Sequence, residues 1–363
     1  MPLGKETKMK VMGTKKWGIA TVVILLLSSG GAVRAEGSDP SGTMGALADL
    51  SGRSKHVATS VLSNLGISET PLGSTYALLA SNNGVEIAVP NRSSNSLQLV
   101  SRKGDAIGIG LPFAGVDAHA ESQGNGIVSF DNKNASVTVP LIKDDGSLQL
   151  TTVLHGYEAP ESFDYKFTLP PGSRILPVGH GLAFFQGNRF IGGLAAPWAK
   201  DGNGTDVPTR FSVNGNTVRQ VVSHRAGKFA YPIVADPWLG LNVFSSVAIG
   251  GEPQGGLPVV NLNLSPWGWS VYLGLSQGGG VLGFAAGQAI MTTAGWDEAW
   301  GKGGAIQQAL NKPSQRQQFD CHALGALTAS DWNLEKFRLN RLNGNWRSGV
   351  LVHHCNWKTA DGY

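Results

Sequence analysis

From about Tyr76 to Asp236 the chain repeats short runs in which apolar and polar positions alternate or β-branched residues cluster, each closed by turn residues. Examples are Val85-Glu86-Ile87-Ala88-Val89, Ser96-Leu97-Gln98-Leu99-Val100, Ala135-Ser136-Val137-Thr138-Val139 and Leu148 to Leu154. Phe163 to Leu169 alternates cleanly. Asn82-Asn83-Gly84, Asp144-Asp145-Gly146 and Asn214-Gly215-Asn216 carry the residues that tight turns require. Strands at a spacing of roughly 8–15 residues, with no helical period between them, predict an antiparallel sandwich or barrel. Ahead of this body, apolar residues between Met44 and Leu65 recur at three- and four-residue steps, which predicts helix.

Beyond the body the pattern changes. No side chain between Glu252 and Asp297 carries charge. Within this stretch Trp269 to Leu275 reads as a strand, Gly278 to Gly280 as a glycine turn, and Val281 to Ala294 as a helix. Gly279, Gly283 and Gly287, spaced by four, offer a small face for close packing. Trp267, Trp269 and Trp296 would also suit weak contact with a membrane interface. A helix of that length reaches roughly 21 Å, short of the ~30 Å hydrocarbon core. The divisions that follow are a leader at 1–35, a polar segment with a possible helix at 36–75, a β-rich module at 76–237, a Gly/Trp-rich uncharged region at 238–294 serving as linker with a short helix, and a small disulfide-stapled α+β domain at 295–363.

The leader has the order of a secretory signal. Lys5, Lys8, Lys10, Lys15 and Lys16 precede the apolar run Trp17 to Leu27, and Val33-Arg34-Ala35 supplies small residues before Glu36. An uncleaved signal anchor is the alternative. A secreted, extracellular or cell-wall-associated protein is expected, and an oxidising compartment favours a Cys321–Cys355 disulfide.

Composition narrows the class. The 363 residues include 50 glycines and only 15% charged side chains, against an ordinary ~25%. Long coiled coils and charge-rich disorder are thereby excluded. The formal charge of +4 suggests nucleic acid until it is placed along the chain. Residues 1–35 hold six Lys/Arg and one Glu, which leaves the remainder near neutral. Inside that remainder, 36–299 carry 15 basic and 20 acidic residues, and 300–363 carry eight and four.

Trp198 to Pro237, with Trp198-Ala199-Lys200-Asp201, Val207-Pro208-Thr209 and Tyr231-Pro232-Ile233-Val234-Ala235-Asp236-Pro237, resembles a strand-rich module of secreted actinobacterial proteins. The resemblance implies export and a β architecture, with no known activity. Asp201, Asn203 and Thr205 alternate like the first ligands of a calcium loop, but the twelfth position is Ser212 rather than a bidentate Glu, and Asn203-Gly204 is itself a turn signal. The turn is preferred. His224, in an alternating run, reads as structural or surface.

The C-terminal part carries a second resemblance. Gly295-Trp296-Asp297-Glu298, Gln318 to His322, Trp332-Asn333-Leu334-Glu335, Arg338 and Cys355-Asn356 are similar to a small domain of unknown function in secreted actinobacterial proteins. The histidine pair and aromatic of His353-His354-Cys355-Asn356-Trp357 depart from its pattern. A Cys321–Cys355 bridge closes a loop of about 35 residues, worth roughly 3–4 kcal/mol. If both cysteines sit on paired strands, His322 and His354 project together from the opposite face. Two imidazoles so held could act as acid and base with Glu335, while Arg338, Arg341 and Arg347 grip phosphate or carboxylate and Trp346 and Trp357 serve as core or platform. The same histidines also read as structural fillers. A zinc site is not expected, since neighbouring residues rarely converge on one ion. No Gly-x-Ser-x-Gly, HExxH or P-loop occurs, and no cofactor is expected.

The favoured function is an exported binding or structural protein of the cell envelope whose basic head docks an anionic polymer. The alternatives are a secreted hydrolase or nuclease using the histidine pair, with nucleic acid as partner, and a membrane-perturbing protein acting through the glycine-rich segment.

Overall fold

The computed structural model describes residues 40–358 except 72–74, 274–279, 326–330, 343 and 348–349. The leader and most of the triple glycine therefore lie outside the described residues. Helices α1 (Pro40–Arg53) and α2 (Lys55–Ser60) come first, as the three- and four-residue periodicity predicts. Seventeen strands follow: β1 (Tyr76–Asn82), β2 (Val85–Pro90), β3 (Leu97–Ser101), β4 (Ala106–Gly110), β5 (Glu121–Gly124), β6 (Ile127–Asp131), β7 (Ser136–Ile142), β8 (Leu148–Leu154), β9 (Ser162–Thr168), β10 (Ser173–Val178), β11 (Gly181–Gln186), β12 (Arg189–Leu194), β13 (Ala199–Lys200), β14 (Thr209–Asn214), β15 (Thr217–Val222), β16 (Ile233–Ala235) and β17 (Trp238–Gly240).

These strands make two antiparallel sheets. The seven-stranded sheet has the order β1-β2-β3-β4-β9-β15-β14, and the ten-stranded sheet β10-β11-β12-β17-β8-β7-β6-β5 with β13 and β16 joined through β8. Their inner faces meet over Leu99, Ile109, Phe163, Tyr165 and Phe167 from one sheet and Phe130, Leu150, Phe184 and Leu239 from the other. Strand β9 buries only alternate residues, because its outer face meets water. Strands β7 and β8 are buried at every position. Their second face packs Val137, Val139, Leu141 and Val153 against Leu47 and Leu50 of α1, Val57 of α2 and Val61 just past it. Lys143, just past β7, is 2% exposed and caps α2, its ammonium donating to the carbonyls of Ser60, Val61 and Ser63 at 2.8, 2.5 and 3.1 Å. Those carbonyls are among the groups a helix C-terminus leaves without an internal partner.

The uncharged stretch is more than a linker. Strands β18 (Phe244–Gln254) and β19 (Leu257–Leu264) form a hairpin, and β19 pairs with β20 (Asp331–Glu335) in a third sheet. Of the strand expected at Trp269 to Leu275, Trp269–Tyr272 is instead part of helix α3 (Pro266–Tyr272), residues 274–275 lying outside the described residues, and the expected helix is α4 (Gly280–Ile290). Ser265 explains the difference. Its hydroxyl accepts the Gly268 N–H at 2.8 Å as the N-cap, and Pro266 fills the first helical turn. A π-type turn (Met291–Gly295) continues α4 into α5 (Trp296–Trp300), followed by α6 (Gly304–Leu310), α7 (Pro313–Gly325) and α8 (Val350–His353). Trp267, Tyr272, Phe244, Phe319 and Trp332 share one core with Phe190 and Trp238 of the body. Each such aromatic removes ~150–250 Å² from water, about 4–6 kcal/mol before ordering costs. The close fit requires glycine at two points: a Cβ on Gly240 would meet the Trp267 ring at 2.3 Å, and one on Gly268 the Val243 carbonyl oxygen at 1.8 Å. No described helix is long and apolar enough to cross a membrane.

Candidate functional site

The disulfide expected between Cys321 and Cys355 is present, with Cα atoms 5.5 Å apart. Cys321, however, lies on α7 and Cys355 follows α8, so the paired-strand geometry does not hold. In a helix, consecutive side chains point about 100° apart. Cys321 therefore faces Trp346 and Trp357, while His322 turns into the other core and stacks on Trp332, ring centroids 5.7 Å apart and planes 11° apart. Neither ring nitrogen of His322 makes a well-formed hydrogen bond among the described residues. Burial lowers its pKa to about 4, with only a weak interaction with the Asn333 backbone opposing. His354 is exposed. The bridge joins the two backbones, but one imidazole is sealed inside and the other faces solvent.

The remaining head residues are largely committed. Glu335, at the end of β20, is ion-paired with Arg338, whose guanidinium also donates to the Trp357 carbonyl at 3.1 Å. Arg341 is 3% exposed and lies 5.5 Å over the Trp357 ring. Trp346 and Trp357 are core rather than platform. Lys312 donates to the carbonyls of Lys336 and Arg338 at 2.7 and 2.6 Å, and Arg316 pairs with Asp320 at 2.9 Å. Arg347, beside Trp346, is exposed, as is Lys358. Much of the basic charge of 300–363 thus holds the head together. His353, next to His354, accepts the Cys355 N–H at 2.9 Å through Nδ1.

The other sequence candidates resolve into turns and anchors. Asp201 accepts backbone N–H groups of Asn203, Thr205 and Ala230 at 3.0, 2.8 and 3.0 Å, so its carboxylate organises the turn and is held below the usual carboxylate range despite burial. His224 is internal, with Nδ1 2.6 Å from the Tyr231 hydroxyl and Nε2 3.0 Å from the Ala159 carbonyl. No cluster of three or more metal-type ligands occurs among the described residues.

A cleft that the sequence did not announce opens where α2, the 195–199 segment, β17 and α3 meet. It encloses about 440 Å³, within the range of small-molecule sites. Trp198, Trp238 and Trp269 line it, with Ser60, Thr209 and Ser270 contributing hydroxyls and Asp206 a carboxylate. Each indole is placed by a specific contact. The Trp198 backbone N–H donates to Asp236 at 3.1 Å, and the His56 ring meets the Trp198 indole edge-on at 4.7 Å. Trp238 donates its Nε1–H to Ser147 at 2.8 Å, and Trp269 packs edge-on against Tyr272 at 5.7 Å. Asp236 is fully buried and its second carboxylate oxygen has no partner, so burial pushes its pKa up to about 8. At neutral pH this acid is mostly protonated. Burial lowers the His56 pKa, as does Lys200, against Asp206. Lys200 is engaged with Asp206 at 2.7 Å. The signal available in the sequence was the pair Trp198 and Asp236, which open and close the first resembling segment. That they touch across 38 residues is a tertiary fact.

No family model, curated protein or solved structure matches the chain.

Proposed function

We propose that this is an exported binding protein of the cell envelope whose ligand is a neutral carbohydrate held in the tryptophan cleft. The observation that carries this reading is the lining: three indoles, three hydroxyls and one rim carboxylate, with the nearby lysine already neutralised by Asp206. A sugar presents flat C–H faces that stack on indoles and hydroxyls that donate to oxygen acceptors. The ion-paired Lys200 offers little to an anionic polymer, while the Ser60 and Ser270 hydroxyls, which donate to the His56 and Pro266 carbonyls, keep oxygen lone pairs that can accept from a sugar. Export rests on the leader sequence, and the disulfide is consistent with it.

The test is a titration of the protein with neutral hexose oligomers and N-acetylhexosamine oligomers, read by indole fluorescence and calorimetry. Binding of one class, weakened at least about tenfold by Trp269→Ala, supports the proposal; that is about 1.4 kcal/mol of lost stacking. Absence of binding to both classes, or binding indifferent to Trp198→Ala and Trp269→Ala, refutes it.

A further inference from the structure

A second cavity, of about 170 Å³, lies between the β3–β4 hairpin, the start of β12, the 241–243 connection and the end of α5. Arg102, Lys103, Arg189 and Lys302 line it, against Asp105 and Glu298. Arg189 is already bound to both oxygens of Asp105, at 2.5 and 2.7 Å. Glu298 is likewise engaged, accepting the Val243 and Phe244 N–H groups at 2.6 and 3.3 Å. Lys103 makes only a long contact, 3.5 Å, to the Asp297 carbonyl. Among the described residues the side chains of Arg102 and Lys302 have no hydrogen-bond or ion-pair partner.

We propose that this cavity binds a small phosphate-class oxyanion between Arg102, Lys103 and Lys302. Three observations converge on it. The lining has an excess of cations once the internal pair is set aside. Burial, the largest influence, lowers the Lys302 pKa, Glu298 opposes this and Arg102 adds a smaller like-charge repulsion, so a bound anion would favour the charged ammonium. The volume is below the ~300–1,000 Å³ of sites for larger ligands, which selects a single small anion. The guanidinium fork and the ammonium supply donors of the kind phosphate oxygens accept. Glu298, its pKa raised to about 7 by burial, can donate to such an oxygen when protonated.

The experiment is calorimetry and phosphorus NMR of the full chain with inorganic phosphate, with acetate at equal ionic strength as the comparison. Saturable phosphate binding is expected, weakened about tenfold or more by Arg102→Gln and by Lys302→Met, and retained within a few-fold by Lys302→Arg. Arg102 is exposed, so Arg102→Gln leaves the fold intact. No saturable binding, equal affinity in Arg102→Gln, or acetate binding as tightly as phosphate overturns the proposal. The sugar cleft is untouched by these substitutions, so each reading can fail without the other.

Discussion

Asp236→Asn isolates the cost of ionising an acid beneath the tryptophan cleft. In the folded chain the Asp236 pKa is raised from 3.8 to about 8, chiefly by burial. Between those values the native state keeps a proton that the unfolded chain has released. Stability therefore falls as pH rises, by about 1.4 kcal/mol per unit in the middle of the window. The contribution is intact below about pH 4 and fully lost above about pH 8, a total of order 5 kcal/mol. Glu298, raised from 4.5 to about 7, slopes the same way, while His322 slopes the other. The informative quantity is thus the difference between variant and wild type, since only Asp236 changes. An asparagine keeps an oxygen for the Trp198 N–H, so the two proteins should be near equal at about pH 4, and the variant should be more stable by several kcal/mol at about pH 8. Urea unfolding followed by indole fluorescence at a series of pH values, with unchanged m, measures this. A difference that stays flat between about pH 5 and pH 8 would show that Asp236 ionises without penalty, and the burial argument would fall.

Other substitutions test the scaffold. Replacing both cysteines by serine releases a loop of sequence separation 34 and should cost about 4 kcal/mol in urea unfolding, the same loss appearing in wild type under reductant. His322→Phe should abolish the acid-side instability of the head. The native imidazole, lowered from 6.5 to about 4, binds fewer protons than the unfolded one, so wild-type stability present above about pH 6.5 is lost as pH falls to about 4, by about 3 kcal/mol. Parallel pH profiles for His322→Phe and wild type would contradict this. Lys143→Met leaves three carbonyls at the end of α2, one buried and two half-buried, without a charged donor and should cost about 2 kcal/mol, with early loss of helix protection in hydrogen exchange.

The parts of the fold legible in the sequence were those specified locally. Asn83-Gly84, Gly146 and Gly215 adopt positive φ, or lie beside residues that do, and turn the chain where their residue types require it. Phe163 to Thr168 shows its burial directly, because one face of β9 meets water and the other does not. The misreading of α3 came from weighting the aromatic and β-branched content of Trp269 to Leu275 over the Ser265-Pro266 start signal. The histidine pair failed because Cys321 belongs to a helix, which the Pro313 start and Gly325 end of α7 could have indicated. The cleft and the burial of Lys143 were not legible, since both depend on which distant segments come together. A tryptophan just ahead of a strand and a lysine in a turn look ordinary until α2 and α3 are laid against them.

The pairing of β19 with β20 has a consequence in time. A chain emerging amino-terminus first exposes Leu257–Leu264 well before Asp331–Glu335 arrives, a delay of several seconds at roughly 5–20 residues per second. During that interval the hairpin presents an open, uncharged edge whose Leu262 lacks the Trp332 it will face. Gln318, which later bonds both ways to the Glu335 backbone, is also still missing. A nascent chain halted after α3 therefore exposes an adhesive strand, and protection of that edge until β20 arrives becomes a condition of its yield.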